Sequence, residues 1–415
     1  MPLKKHPPVS VVLVGIGGMG YFYLRTLFDD FSPDRVCVKA VVDPFPESSR
    51  IVGEVRQRGI PIYDSLEDYF PDAGSAIDLV IVSSPIQYHV DQSIRALEKG
   101  SRVLCEKPLC ATIQEADRLI RASSDHNGRI EIGYQWSFTP AIQDFKQDVL
   151  AGRFGRPVRL KTLCFWPRDM NYFNRNHWAG RLKDDSGLWV LDSPAGNAMA
   201  HFLHNMFYVL GHRIDASAVP VEVAAEASRL YPIENFDTIS SRIFTEEGVE
   251  LLFFASHAVP ENRGPLFEFE FEEAKVVYEG PGNEIWARWT SGIQKSYGNP
   301  EVHLLRKLSR AVEGIFEDIP VLCPPEAARS QTLCVNGIQD SISCVKEFPK
   351  EKIIRTGDQL WSTGLADLLD EAYQKNKLPS EIGDGGTRSG KVVDLNGYTF
   401  FPGGKKKDGG IKIEE

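Results

Sequence analysis

Hydrophobic positions along the chain follow two rhythms. Through residue 135, short β-branched runs at 9–14, 36–43, 79–83, 102–105 and 130–134 alternate with amphipathic stretches at 19–29, 47–58, 90–99 and 113–123. Strands with few charges fit a sheet buried on both faces, and their alternation with helices predicts βαβ units and a parallel sheet. Beyond residue 135 the pattern changes, with helices predicted at 140–151 and 195–210 and a strand at 158–165. Strand-like runs then follow one another at 221–230, 238–244, 249–255, 266–271 and 275–278, and Glu246, Glu247 and Gly248 form a hairpin turn between two of them. Consecutive strands predict a large, mostly antiparallel sheet in an α+β unit. Helices at 302–313 and 325–345 are expected to close that unit, followed by a helix at 364–374, a strand within 392–401 and a polar tail.

Composition narrows the possibilities. The 415 residues exceed one compact core, and 42% hydrophobic with 25% charged residues is ordinary for a globular protein. No apolar run approaches the roughly 20 residues that span a bilayer. Residues 1–10 lack the apolar core of a signal peptide, so a cytoplasmic protein is expected. A net charge of −10 argues against nucleic acid as a partner. The seven cysteines at 37, 105, 110, 164, 323, 334 and 344 are odd in number and form no CxxC pair, so free thiols are expected rather than disulfides or a metal site.

The first strand runs straight into Gly15-Ile16-Gly17-Gly18-Met19-Gly20, a G-x-G-x-x-G loop that opens a helix. Gly15 permits the tight turn, Gly17 lets backbone approach a pyrophosphate, and Gly20 lets the helix pack closely on the strand. The helix N-terminus, with Gly18 and Met19, presents free N–H groups and partial positive charge to phosphates. The second strand ends at Asp43, where a carboxylate can accept ribose hydroxyls of NAD and repel a 2′-phosphate. The same Asp could also cap the turn before Pro44, and Arg50 keeps NADP open.

Three more segments share a pattern with that loop. Val80–His89 carries Ser84 and Pro85, Val103–Leu109 carries Glu106-Lys107-Pro108, and Gly133-Tyr134-Gln135-Trp136 opens a stretch ending at Val158. Together these segments resemble the glucose–fructose oxidoreductase / inositol dehydrogenase / rhizopine catabolism (Gfo/Idh/MocA) family over residues 9–345. The resemblance implies a Rossmann domain at 1–135, a substrate-binding and oligomerisation α+β domain at 136–382 and an extension at 383–415. It implies hydride transfer between nicotinamide and a secondary alcohol of a sugar, polyol or similar ring. Cofactor contacts are then expected at Ser84, Pro85, His89, Glu106, Lys107 and Gln135 as well as the glycine loop and Asp43. Lys107 would lie beside nicotinamide and substrate, with a cis peptide before Pro108. A homodimer or homotetramer built through the open sheet is also implied.

The family commonly carries D-x-x-x-H-x-x-D on a second-domain helix. Counting back from Gly211 aligns Asn197, His201 and His204 with it, so this chain reads N-x-x-x-H-x-x-H after Asp192. Asn cannot act as a base at neutral pH, whereas His can. His201 is therefore the expected base, Lys107 a donor to the same oxygen, and His204 and Asn197 orienting or relay groups. The segment 166–181 is dense in Trp, Tyr, Arg and Asn, and aromatic faces beside polar donors suit a carbohydrate. Trp166, Arg168, Trp178, Arg181 and Asp192 are the substrate candidates, although the same segment could serve interdomain or subunit packing. A glycosidase using NAD transiently and a non-catalytic nucleotide-binding protein are the alternatives.

Overall fold

The computed structural model describes residues 7–72, 77–126, 129–383 and 390–404. The first sheet contains β1 (Val9–Val14), β2 (Val36–Val42), β3 (Ile62–Tyr63), β4 (Leu79–Val82), β5 (Arg102–Cys105) and β6 (Ile130–Ile132). They are parallel in the order β3-β2-β1-β4-β5-β6, the doubly wound Rossmann arrangement. The order reverses between β1 and β4, so a crevice opens at their carboxyl ends, where open α/β sheets take ligands. The helices are α1 (Gly18–Asp29), α2 (Val52–Gln57), α3 (Leu66–Asp72), α4 (His89–Glu98) and α5 (Ile113–Asp125). The helix expected at 47–58 is shortened to α2, because the buried Ser49 hydroxyl turns away to donate to the Ile16 carbonyl at 2.6 Å. β3 and α3 lie outside the sequence expectation; two residues of strand are too few to show a period.

After α6 (Pro140–Leu150) comes β7 (Pro157–Phe165), the short α7 (Met170–Phe173) and α8 (Ala200–Val209). The second sheet adds β8 (Pro220–Arg229), β9 (Thr238–Thr245), β10 (Glu250–Ser256), β11 (Arg263–Phe271), β12 (Ala274–Tyr278), β13 (Ile285–Trp289) and β14 (Gln294–Gly298) to β7. Its order is β14-β13-β12-β11-β7-β10-β9-β8-β15, where β15 is Lys346–Glu347, and it is mostly antiparallel. One face packs on α6, α8 and α10 (Pro325–Ser341). The other carries α11 (Leu365–Lys375), whose Leu365, Leu369, Ala372 and Tyr373 pack on Leu163, Leu252 and Phe254. That is the face through which the resemblance builds an oligomer, and part of it is covered by this chain itself.

Two elements depart from their expected places. The helix near 302–313 forms as α9 (Arg306–Phe316), but its Leu308, Ala311 and Val312 pack with Val11, Leu13 and Ile81. It completes the Rossmann core rather than the second unit. The strand expected within 392–401 shrinks to β18 (Val393–Asp394) on β8, because Asp394 accepts the Asn396 N–H at 2.9 Å and starts a turn. The hairpin β16 (Ile353–Thr356) and β17 (Gln359–Ser362) stands apart as a small sheet of its own. The polar tail after residue 404 lies outside the described residues.

Candidate functional site

The glycine loop has the geometry its spacing demands. Gly15 has φ +81°, and a Cβ there would lie 2.7 Å from the Ser83 carbonyl oxygen. A Cβ on Gly20 would meet the Gly15 carbonyl at 1.9 Å, so α1 rests directly on the turn. Around Gly17 and Gly18 the space is open, and the α1 N-terminus has no side-chain cap. An uncapped helix end facing open space at the crevice fits a pyrophosphate. Asp43 sits beside it, its Oδ2 accepting the Ile16 N–H at 2.9 Å and its Oδ1 the Phe45 N–H at 2.8 Å. Both expected roles of Asp43 are therefore compatible: it braces the loop and remains half-exposed next to it. Arg50 stacks on the Tyr21 ring at 3.7 Å.

The loops after β4 and β5 form the next wall. His89 lies buried with one ring nitrogen 2.8 Å from the Pro108 carbonyl and the other 2.9 Å from the Ser84 carbonyl. It straps the Ser84-Pro85 turn to the Lys107–Pro108 loop, whose peptide is cis. Glu106 faces away from the crevice. Its carboxylate is buried against the Lys307 ammonium from α9 and the Tyr23 hydroxyl, and it accepts the Lys107 N–H at 3.2 Å. Burial pushes the Glu106 carboxyl up, but Lys307, Tyr23 and Lys107 outweigh it and leave the group below its ordinary value. Glu106 was expected to touch the cofactor; its carboxylate here anchors the loop beneath Lys107. Gln135 opens the short helical turn Gln135–Phe138 and is half-buried.

Lys107 points into the space between the sheets. Its Nζ donates to the Asn197 carbonyl at 2.8 Å and to Asn197 Oδ1 at 3.0 Å. Asn197 Nδ2 in turn donates to Asp192 Oδ1 at 2.8 Å, and Asp192 Oδ2 accepts the Gly180 N–H at 2.6 Å. Burial lowers the Lys107 ammonium to about 8, with Glu106 pulling up and Lys307 pulling down. Burial raises the Asp192 carboxyl, and Arg175, Gly180, Asn197 and Lys107 hold part of that rise back.

This contact depends on a helix that does not run straight. Residues 194–198 form a π-turn, Pro194–Ala198, closed by Met199 N–H to the Pro194 carbonyl at 2.8 Å, and α8 begins only at Ala200. The Ser193 hydroxyl caps the turn through Gly196 N–H, and Leu191 just before it sits at φ +52°, uncommon for a branched side chain. A wide turn of this kind re-aims side chains and recurs at functional sites. Gln331 on α10 fixes the turn from behind, donating to the Ala195 carbonyl at 2.8 Å and accepting from Tyr134 at 3.0 Å.

His201 follows on the first turn of α8. It is 9% exposed and its Nδ1 has no partner. Burial, then Lys107 and Lys307, hold it well below the usual imidazole value, so it is neutral. His204, three residues on, lies deeper: it stacks on Tyr134 at 3.8 Å, the ring that also meets His201 edge-on at 5.9 Å, and reaches Ser137 Oγ at 3.1 Å. His201 and His204 both lie inside α8 and keep their i, i+3 relation, whereas the π-turn breaks the expected register between Asn197 and that pair.

The substrate candidates divide as well. Asp192 joins the network, and Trp166 packs edge-on against Phe202 at 5.3 Å, next to His201. Arg168 stacks on Tyr172. Arg181 instead pairs with Asp185 at 2.5 Å on the surface, and Trp178 lies half-buried beyond Arg175. Tyr172 and Arg175 are residues the sequence candidates omitted. Their signal was their place in the same aromatic and basic run.

Residues 9–134 match the family model described as an oxidoreductase family with an NAD-binding Rossmann fold. The chain is 33% identical to inositol 2-dehydrogenase 1 of Saccharopolyspora erythraea over 52% of its own length and 64% of that protein. It is 29% identical to the scyllo-inositol 2-dehydrogenase (NAD(+)) of Bacillus subtilis over 37% of this chain and 43% of that one. The match thus spans less than two thirds of either relative. Among solved structures, the WlbA dehydrogenase of Bordetella pertussis, determined with NADH and UDP-GlcNAcA, superposes with a TM-score of 0.65 at 18% identity, covering 81% of this chain and 98% of that one. At that identity the likeness is one of fold, and it extends through both sheets. The glycine loop, with the steric demands at Gly15 and Gly20, lies within the 9–134 segment that matches the NAD-binding Rossmann domain of the Gfo/Idh/MocA oxidoreductase family.

Proposed function

We propose that this chain is an NAD-dependent dehydrogenase acting on a secondary alcohol of a sugar, polyol or sugar-like ring. The observation that carries the reading is Lys107. It stands at the carboxyl end of β5, on the same edge of the sheet as the glycine loop and two strands from it, with two of its N–H bonds spent on Asn197. A neutral amine keeps both of those bonds and has a lone pair left for a hydroxyl proton; the ammonium has a third N–H for the resulting oxygen. With a value of about 8, Lys107 can take that proton near neutral pH. His201, held neutral and far below its usual value, is the weaker base and orients the hydroxyl. This exchanges the roles expected from sequence. Asn197 and Asp192 hold Lys107 in place, and Asp192 balances its charge.

The glycine loop, Asp43 and the Ser84-Pro85 turn are the residues that would hold NAD, which supplies the hydride acceptor. Similarity to the inositol dehydrogenases supports a polyhydroxylated ring as substrate. The test is oxidation of a panel of sugars and inositols with NAD, followed by NADH absorbance. Lys107→Met should lower the hydride-transfer rate by about 10²–10⁴ while NAD binding stays within a few-fold. Free sugar released from glycosides without NADH would point to the glycosidase alternative. Wild-type rates in Lys107→Met would overturn the assignment.

A further inference from the structure

Beyond Asp192 the site continues as a basic wall. Arg175 lies 3.8 Å from Asp192 and stacks on the Tyr172 ring at 3.8 Å, while Arg168 lies over the same ring at 4.8 Å. Asp192 thus faces two cations, Arg175 directly and Lys107 through Asn197. Among the described residues Arg168 has no acidic partner. Its guanidinium donates to the Pro167 carbonyl at 3.2 Å, and its buried Nε has no acceptor. Of the nearby acids, Asp169 caps α7 through the Tyr172 N–H at 2.9 Å, and Asp358 lies exposed, 4.0 Å from Arg355.

An open cavity of about 650 Å³ lies against Arg168 and Tyr172, lined also by Asp169, Thr356, Asp358 and Gln359, and Arg175 adjoins it through the Tyr172 ring. Its far side is the β16–β17 hairpin. The hairpin is fixed to the site segment by a bridge between Asp169 and Gln359, by Met170 N–H to the Asp358 carbonyl at 3.2 Å, and by the Tyr231 hydroxyl, which accepts the Leu360 N–H at 2.8 Å. Gln359 also donates to the Val259 carbonyl at 3.1 Å. The hairpin is therefore a built wall of the cavity.

We propose that Arg168 and Arg175 form an anion-recognising subsite, and that the substrate is a sugar-like ring bearing a carboxylate or phosphate held between this wall and the hairpin. The inference rests on the dehydrogenase reading above. A guanidinium offers paired N–H donors that match either anion. The ring reacts at Lys107 while its acidic substituent reaches past Asp192 toward Tyr172.

The test compares matched substrates: glucose with glucuronate and glucose 6-phosphate, and myo-inositol with its monophosphate. The expected result is a higher kcat/KM for an acidic member of a pair, the carboxylate and phosphate arms showing which anion is preferred. Arg168→Gln and Arg175→Gln should each reduce that preference about 10- to 100-fold, mainly through KM, with Arg168→Lys retaining part of it. Thermal melts and NAD titrations of the variants establish that they fold. Neutral sugars turned over as well as their acidic partners, with the ratio unmoved by either substitution, would overturn the subsite while leaving the dehydrogenase standing. No NAD reduction with any member of the panel would instead overturn the dehydrogenase reading.

Discussion

Replacing Lys307 by Met should be among the most damaging single changes in the protein, although residue 307 touches no expected ligand. Lys307 and Glu106 form an ion pair with side chains 1% and 7% exposed, joined by the Tyr23 hydroxyl and the Gly133 carbonyl. Removing the ammonium leaves Glu106 two ways to respond. It can stay charged and unpaired, which costs about 3–5 kcal/mol for a broken buried pair. Or it can take up a proton; at pH 7, nearly three units above an ordinary glutamate, that costs roughly 4 kcal/mol at about 1.4 kcal/mol per unit. The two routes agree, so Lys307→Met should lose about 3–5 kcal/mol at pH 7. Glu106→Gln/Lys307→Met removes both charges and keeps an acceptor for Tyr23. It should recover at least about 2 kcal/mol relative to Lys307→Met, since neutral replacement of a buried pair is often tolerated. Urea unfolding of wild type, both single variants and the double variant measures the cycle. The single variant also has a pH signature: once Glu106 is neutral in the folded state, the deficit shrinks as pH falls from 7 toward the unfolded carboxyl value. Strictly additive losses with no pH dependence would show that the pair is not coupled and that Lys307 acts only through packing.

Three other outcomes follow from the site. If neutral Lys107 is the base, kcat/KM for oxidation should rise with pH through about 8 and then level, and Lys107→Met should lack that limb; a profile flat across this range would count against Lys107. Asp43 should make NADP bind at least about tenfold more weakly than NAD, and Asp43→Ala should narrow the gap; equal dissociation constants by fluorescence titration would remove Asp43 as the discriminator. His201, His204 and His257 are all held below their usual value, first by burial, with His257 at about 3. Below pH 6.5 the unfolded chain gains protons that these folded imidazoles refuse, so stability should fall with pH by up to about 1.4 kcal/mol per unit for each. His257→Asn should flatten that slope between pH 6.5 and 5.5 in denaturant titrations, and an unchanged slope would contradict it.

The sequence revealed those elements whose physics is local. G-x-G-x-x-G was legible because each glycine answers a steric demand set by residues within a few positions or on the adjoining strand, as the 1.9 Å approach at Gly20 shows. The parallel and antiparallel sheets were legible because strand burial writes itself into apolar runs. The anchoring of Glu106 was not legible because its partner lies 201 residues away on α9. The only trace of that partner was a lysine adjoining the apolar stripe Leu308, Ala311 and Val312. The place of Asn197 relative to His201 was not legible because a period count assumes α geometry, and nothing in Pro194–Ala198 announces an extra residue in the turn.

That extra residue also bears on the missing acids. Where the family commonly carries Asp, this chain has Asn197, and an amide cannot supply charge to balance a lysine. The π-turn brings the Asn197 carbonyl and side-chain oxygen together onto Lys107 Nζ, and the amide nitrogen is then left to face backward. Behind it Asp192, five residues earlier, presents the carboxylate at 2.8 Å. The acid is retained but moved one step away from the ammonium. Distance weakens its pull, and Lys107 accordingly keeps a value of about 8 rather than one raised by a direct ion pair. Asn197→Asp should therefore pair the lysine directly, move the alkaline limb of the oxidation profile upward and slow turnover at neutral pH. A limb that stayed in place would mean the carboxylate position does not set the lysine's proton affinity.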